Sequence, residues 1–178
     1  MMDMKSNWKD IRRLFARSFR SSLHFAMASI TSEGLPHVTP IGSLILCEPG
    51  RGVYFEEFTR HMRSNFEENQ NVCVLAVRSG LLFWLASLVR GRFSTPPAIR
   101  LSGKVGMRRA ATDEELKLWN KRVGKLRFTK GYRLMWANMC TVRDVHFSNV
   151  DEVHLGEMTR RCSASFRNKN VEHSGATS

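Results

Sequence analysis

From residue 23 onward the sequence breaks into short apolar runs divided by turn residues, and this spacing constrains the fold more than any other feature. Residues 23–30, 36–47 and 53–57 read as strands, with Thr31-Ser32-Glu33-Gly34 and Glu48-Pro49-Gly50-Arg51-Gly52 between them. Gly34 supplies the positive φ that a hairpin turn requires, and Gly50 and Gly52 serve the second turn. The pattern predicts an antiparallel meander.

Further along, helical and strand-like stretches alternate. Residues 60–69 place Met62 and Phe66 four apart on the inner side of a helix, and the apolar run at 72–77 reads as a buried strand. Residues 81–89 suggest a helix ended by Gly91 and Pro96-Pro97. Residues 98–108 suggest a strand in which Gly103 and Gly106 mark bulges or close backbone approaches. Thr112 followed by Glu115 forms a capping box opening a helix to about Val123. The last strands are expected at 139–147 and 152–157.

At the other end, Trp8, Ile11, Phe15 and Phe19 recur at helical spacing with arginines between them. This predicts an amphipathic helix over about residues 1–20, either laid against the domain with a solvated basic face or docked to a membrane surface or nucleic acid. The organisation expected is this helix, one domain over residues 21–158 with a helical insertion at 80–97, and a polar, aperiodic, disordered tail at 159–178. The fold class is mainly β with added α: a six-stranded antiparallel barrel of Greek-key type with peripheral helices.

A chain of 178 residues can bury a core without metal or disulfides. Its 28 Lys and Arg against 16 Asp and Glu give a net charge of +12, which calls for anionic partners without choosing among them. The excess concentrates in residues 78–133, where fourteen basic side chains face three acidic ones. Cys47, Cys73, Cys140 and Cys162 lack C-x-x-C spacing, and the six histidines match no metal-binding motif, so no metal site is expected. Arginines and a lysine interrupt every candidate signal-peptide core, which points to a cytoplasmic protein with reduced thiols. The longest uncharged apolar run, residues 81–89, falls short of the ~20 residues of a membrane span.

Two stretches carry possible chemistry. Phe58-Thr59-Arg60-His61-Met62-Arg63-Ser64-Asn65 opens a helix directly after a strand, with Arg60 and Arg63 on one face. Unpaired N–H groups, the helix dipole and guanidinium forks would together cradle a phosphate there; the plainer alternative is a solvated basic turn. Gly34-Leu35-Pro36-His37-Val38-Thr39-Pro40-Ile41 sends Val38 and Pro40 to one face of a strand and His37, Thr39 and Ile41 to the other. Thr39 can bond the polar edge of a flat heteroaromatic ring, and Pro40 marks a sheet edge or bulge, though an ordinary barrel strand would also read this way. The first hairpin would set His24 against His37, and the pairs Glu56-Glu57 and Glu67-Glu68 read as solvated.

The serial order of these pieces resembles the FMN-binding split barrel, or pyridoxamine 5′-phosphate oxidase-like, family. The likeness runs through His24 to Ile30, Gly34 to Ile41, Val53-Tyr54-Phe55, Thr59 to Phe66 and Asn69-Gln70-Asn71-Val72-Cys73-Val74, and resumes at Arg100-Leu101-Ser102-Gly103-Lys104-Val105. The resemblance implies a homodimer with FMN at the subunit interface. Val38, Thr39, Pro40 and Ile41 would lie beside the isoalloxazine; Thr59, Arg60, His61 and Arg63 would hold the phosphate; Asn65 would support that turn. Family members carry Lys or Arg where His61 or Met62 stands.

The Trp- and Arg-rich C-terminal segment of authentic pyridoxamine 5′-phosphate oxidases is missing, so vitamin B6 oxidation is not expected. The resemblance therefore implies a flavin-dependent oxidoreductase acting on a small molecule, with NAD(P)H as a candidate donor. The alternative is a non-catalytic binder of flavin, haem or deazaflavin. Nucleic-acid binding lacks the aromatic-basic strand signature of RNA-binding sheets.

Overall fold

A computed structural model describes residues 3–160 and residue 162. The chain runs α1 (Met4–Ser22), β1 (Phe25–Ile30), β2 (Pro36–Ile41), β3 (Leu44–Leu46), β4 (Arg51–Phe55), α2 (Arg60–Glu68), β5 (Asn71–Val77), α3 (Leu81–Arg90), β6 (Ala98–Ala110), α4 (Asp113–Val123), α5 (Lys130–Met135) and β7 (Thr141–Glu152). The seven strands form one antiparallel sheet in the order β2-β1-β5-β6-β7-β4-β3.

That order dictates the curvature. β2 and β3 occupy opposite edges of the sheet, yet only Gly42 and Ser43 separate them in sequence. Opposite edges of a flat seven-stranded sheet would lie roughly 29 Å apart, six spacings of about 4.8 Å. Three Cα steps reach at most about 11 Å. The sheet must therefore roll up until its edges converge at residues 42–43, which yields a half-barrel.

The same link corrects the expected strand count from six to seven. The single run predicted at 36–47 is divided because Ser43 turns to face β4: its hydroxyl donates to the Phe55 carbonyl at 2.7 Å, and its own carbonyl accepts from the Phe55 N–H at 3.0 Å. A Cβ on Gly42 would lie 3.0 Å from the Leu23 carbonyl oxygen, so a side chain there would crowd the kink. The separate strand expected at 152–157 is absent. β7 ends at Glu152, and a 3-10 turn follows at Gly156–Thr159.

Two cores explain the burial pattern. Met27, Leu101, Val145 and Phe147 face the barrel interior together with Trp8, Ile11, Leu14 and Phe15 of α1 and Met62 and Phe66 of α2. α1 thus packs as an amphipathic helix with its apolar stripe inward, fastened by Trp8 Nε1 to the Cys47 carbonyl at 2.9 Å and Ser18 Oγ to the Val77 carbonyl at 2.7 Å. Outside the barrel, Val53 and Phe55 of β4 and Val142 of β7 pack against Trp119 and Val123 of α4, Tyr132 of α5 and Met139. β4 is consequently apolar on both faces over residues 52–55.

Local chemistry matches several sequence signals. Gly34 and Gly50 have φ of 79° and 75° in the two turns. The capping box at Thr112 and Glu115 is formed in both directions. Gly103 sits at a register shift where a Cβ would fall 2.0 Å from the His146 carbonyl oxygen, and Gly106 lies within the shift between Val105 and Arg108. α5 carries no strong sequence signal beyond its Thr129 cap. No helix among the described residues is long and apolar enough to cross a membrane. Most of the tail, residues 163–178, lies outside the described residues.

Candidate functional site

The two stretches singled out in the sequence meet on one side of the barrel. β2 is an edge strand paired only with β1, as Pro40 implied. Its alternation is as expected: Val38 and Pro40 are exposed, His37 and Thr39 half-buried, and Ile41 is buried in the barrel core. Of Ile41, the backbone is therefore the part left to face a ligand along the edge.

α2 lies over this hairpin. Met62 and Phe66 pin its inner face to the core, and Asn65 Nδ2 donates to Ser29 Oγ at 2.9 Å in a buried bond. Ser29 is the cross-strand partner of His37. Asn65 thereby fixes α2 relative to both strands. The ring of His37 meets the ring of His61, in the first turn of α2, at a centroid separation of 6.2 Å. This replaces the expected pairing of His37 with His24, whose Nδ1 lies instead 2.7 Å from the Ser22 carbonyl.

The start of α2 is electrostatically positive and lacks a side-chain cap. Thr59 stands at the N-cap, but its hydroxyl makes no capping bond and is held by the Tyr54 hydroxyl at 2.5 Å. Burial pushes the Tyr54 phenol up to about 12, so it keeps its proton at neutral pH. No acidic residue lies in the first turn. Arg60, His61 and Arg63 are all exposed, and among the described residues Arg63 is balanced only by Glu67 at 3.7 Å. The Arg60 N–H donates to the Phe58 carbonyl at 3.1 Å, but among the described residues the His61 and Met62 N–H groups have no backbone acceptor, and with the dipole and the cations they meet the requirements for holding an anion. Nearby, His37 Nδ1 is buried and has no hydrogen-bond partner among the described residues, which leaves a directional polar atom unsatisfied beside that start.

One functional element was missed in the sequence. Glu56, read as solvated, is 2% exposed. Arg143 Nε donates to both of its oxygens, at 2.9 and 3.0 Å, and Arg108 Nε lies 3.5 Å from Oε2. The pair anchors the segment joining β4 to α2, so it positions Thr59 and Arg60 without facing the site itself. No signal within the β4–α2 stretch could reveal it, because the partner lies 87 residues away. Among the described residues no cluster of three or more His, Cys, Asp or Glu side chains is arranged to hold a metal.

No protein-family model matches the sequence, and none of the curated proteins does. Solved structures do match. HupZ from Group A Streptococcus superposes with a TM-score of 0.55 at 13% identity, over 82% of this chain and 92% of that one. HutZ, the haem storage protein from Vibrio cholerae, gives 0.54 at 10% identity over 85% and 95%. An FMN-binding protein from Syntrophomonas wolfei gives 0.54 at 11% identity over 84% and 94%. The chain has the split-barrel fold of these structures. At these identities the likeness establishes the architecture of the split barrel, and the chemistry has to be argued from the β2–α2 site.

Proposed function

We propose that this split barrel binds FMN as a homodimer and acts in the cytoplasm as a flavin-dependent oxidoreductase on a small molecule, with NAD(P)H as electron donor. The reading is carried by the unpartnered His37 Nδ1 beside the uncapped, cationic start of α2. FMN offers a match to both features, a terminal phosphate and a flat ring with a polar edge. Thr59, Arg60, His61 and Arg63 would hold the phosphate, with the N–H groups of His61 and Met62 as further donors. Val38, Thr39, Pro40 and the Ile41 backbone would lie beside the isoalloxazine, while Asn65 holds the helix in place. When bound, the flavin supplies the hydride chemistry; the chain's part is to orient it, exclude water and present donors to its ring.

The homodimer is supported by exposed apolar side chains around the site. Leu35, Val38 and Phe58 are each more than half exposed, and a second copy over β2 would cover them.

A second reading, a haem, flavin or deazaflavin binder without turnover, draws on the neighbouring imidazoles of His37 and His61. The absorption spectrum of the purified protein separates the two cofactor classes. Flavin bands and release of FMN on denaturation are expected, whereas a Soret band would favour haem. A colourless protein that takes up neither would reject both. Bleaching of the bound flavin by NADH or NADPH distinguishes the enzyme from the store. Arg60→Ala is expected to weaken FMN binding at least tenfold, with an unchanged circular dichroism spectrum and dimer; unchanged affinity would reject the phosphate assignment.

A further inference from the structure

A second cleft, sharing no residue with the β2–α2 site, opens where α1, α4 and the β3 edge converge. It encloses about 450 Å³. Phe19, Phe25, Leu44 and Leu46 give it an apolar floor. Every charged residue lining it is basic: Arg12 and Arg20 from α1, Lys121 and Arg122 from α4, and Lys125 just beyond. A solvated basic face would explain four of these, which are exposed. It does not explain Arg122.

Arg122 is drawn into the cleft. Its guanidinium stacks on Phe19 at 3.8 Å from the ring centroid and lies 5.7 Å from that of Phe25. One Nη donates to the Leu44 carbonyl. Among the described residues no carboxylate pairs with it. Burial lowers its pKa to about 10, with no acidic group offsetting the effect. The side chain is half-buried, so a cation held without a counter-ion is only partly hydrated there, and the one carbonyl it bonds leaves most of its five donors open to an entering ligand. An anion entering the cleft would supply the missing partner, and a guanidinium fork matches a carboxylate in two parallel bonds. An apolar floor beneath a cationic rim also requires that the anion carry an apolar body. The volume lies within the usual range for small-molecule sites.

We propose that this cleft binds a small apolar carboxylate, with its head on Arg122 and its body on the Phe19, Phe25, Leu44 and Leu46 floor. Arg12, Arg20, Lys121 and Lys125 draw the anion in from solvent. The site is separate from the proposed flavin site, so the two ligands bind without competing.

Isothermal titration of the full chain tests this with decanoate, kept below its micelle concentration, and with decanol and acetate as controls. One decanoate per chain is expected, with decanol and acetate each binding at least tenfold more weakly. Arg122→Met, which keeps the apolar stem and removes the charge, lowers decanoate affinity at least tenfold. Lys121→Ala combined with Lys125→Ala alters only exposed rim positions and lowers it about threefold, so the proposal stays testable if Arg122→Met fails to fold. Saturating FMN leaves decanoate affinity unchanged. No decanoate binding, equal binding of decanol, unchanged affinity in both variants, or displacement by FMN would overturn it. The decanoate measurement stands whether or not the protein takes up FMN, so the two proposals fail separately.

Discussion

Arg108 and Arg109 are neighbours on β6, yet their guanidiniums join two ionic clusters on opposite faces of the sheet. On the inner side Arg108 approaches Glu56, which is held by Arg143, and both members of that pair are 2% exposed. On the outer side Arg109 forks between Glu115 of α4 and Asp144 of β7, with four contacts of 2.6 to 2.9 Å. The outer cluster has the richer geometry, but its Arg109 and Asp144 side chains are 34% and 45% exposed. Water and salt screen it, whereas the inner pair has exchanged most of its hydration for protein partners. The inner cluster fixes where α2 begins, and the outer one clips α4 to the barrel wall.

The largest effect comes from breaking the inner pair. Arg143→Met leaves the buried Glu56 with only the longer 3.5 Å contact to Arg108 and is expected to cost about 3 kcal/mol in chemical denaturation. Replacing both, as Glu56→Gln with Arg143→Met, recovers much of that loss, because the penalty lies in the uncompensated charge. FMN affinity should fall with Arg143→Met even under conditions where the protein remains folded, since the β4–α2 segment loses its anchor.

Backbone crowding on β6 gives the next effect. Gly103→Ala puts a methyl 2.0 Å from the His146 carbonyl oxygen, which forces β6 and β7 apart at the irregularity in their pairing. A loss of about 1–3 kcal/mol is expected by thermal melting. Gly106→Ala, with its nearest neighbour at 3.6 Å, should be tolerated.

The outer cluster yields the smallest change. Arg109→Met should cost about 1 kcal/mol at neutral pH and low salt, less at high salt. Hydrogen bonds from Arg109 hold the Glu115 and Asp144 carboxyls below their ordinary values of 4.5 and 3.8. Groups with depressed folded-state pKa values stabilise at pH above their unfolded values, and this contribution disappears as acid protonates them in the folded protein. The stability gap between wild type and Arg109→Met should therefore be full at pH 7 and close as pH falls below about 4. A gap that persisted at pH 2 would show that Arg109 acts through packing of its stem instead.

Legibility in the sequence followed the range of the interactions. The Thr112–Glu115 capping box, the Gly34 turn and the alternation of His37, Thr39 and Ile41 are encoded within a few residues, and each could be read directly. The inward set of α1 was equally plain from Trp8, Ile11 and Phe15. What escaped depends on distant partners. Glu56 looks like any acidic turn residue until Arg143 is folded beside it. The break at residues 42–43 arises because Ser43 bonds Phe55, a contact between strands that the local apolar pattern does not reveal. His37 and His61 come together because Met62, Phe66 and the Asn65–Ser29 bond seat α2 over the hairpin. The cleft around Arg122 joins the first helix to the fourth, and the sequence showed only their basic composition.

The two-residue link at Gly42 and Ser43 has a mechanical consequence. It acts as a clasp between the first and last staves of the cylinder, so the gap there is set by covalent geometry and not by a balance of weak forces. Lengthening the clasp by a few glycines would let the cylinder gape along the β2 edge, loosening the side where the α2 cations and His37 gather before it disturbed the hydrophobic centre.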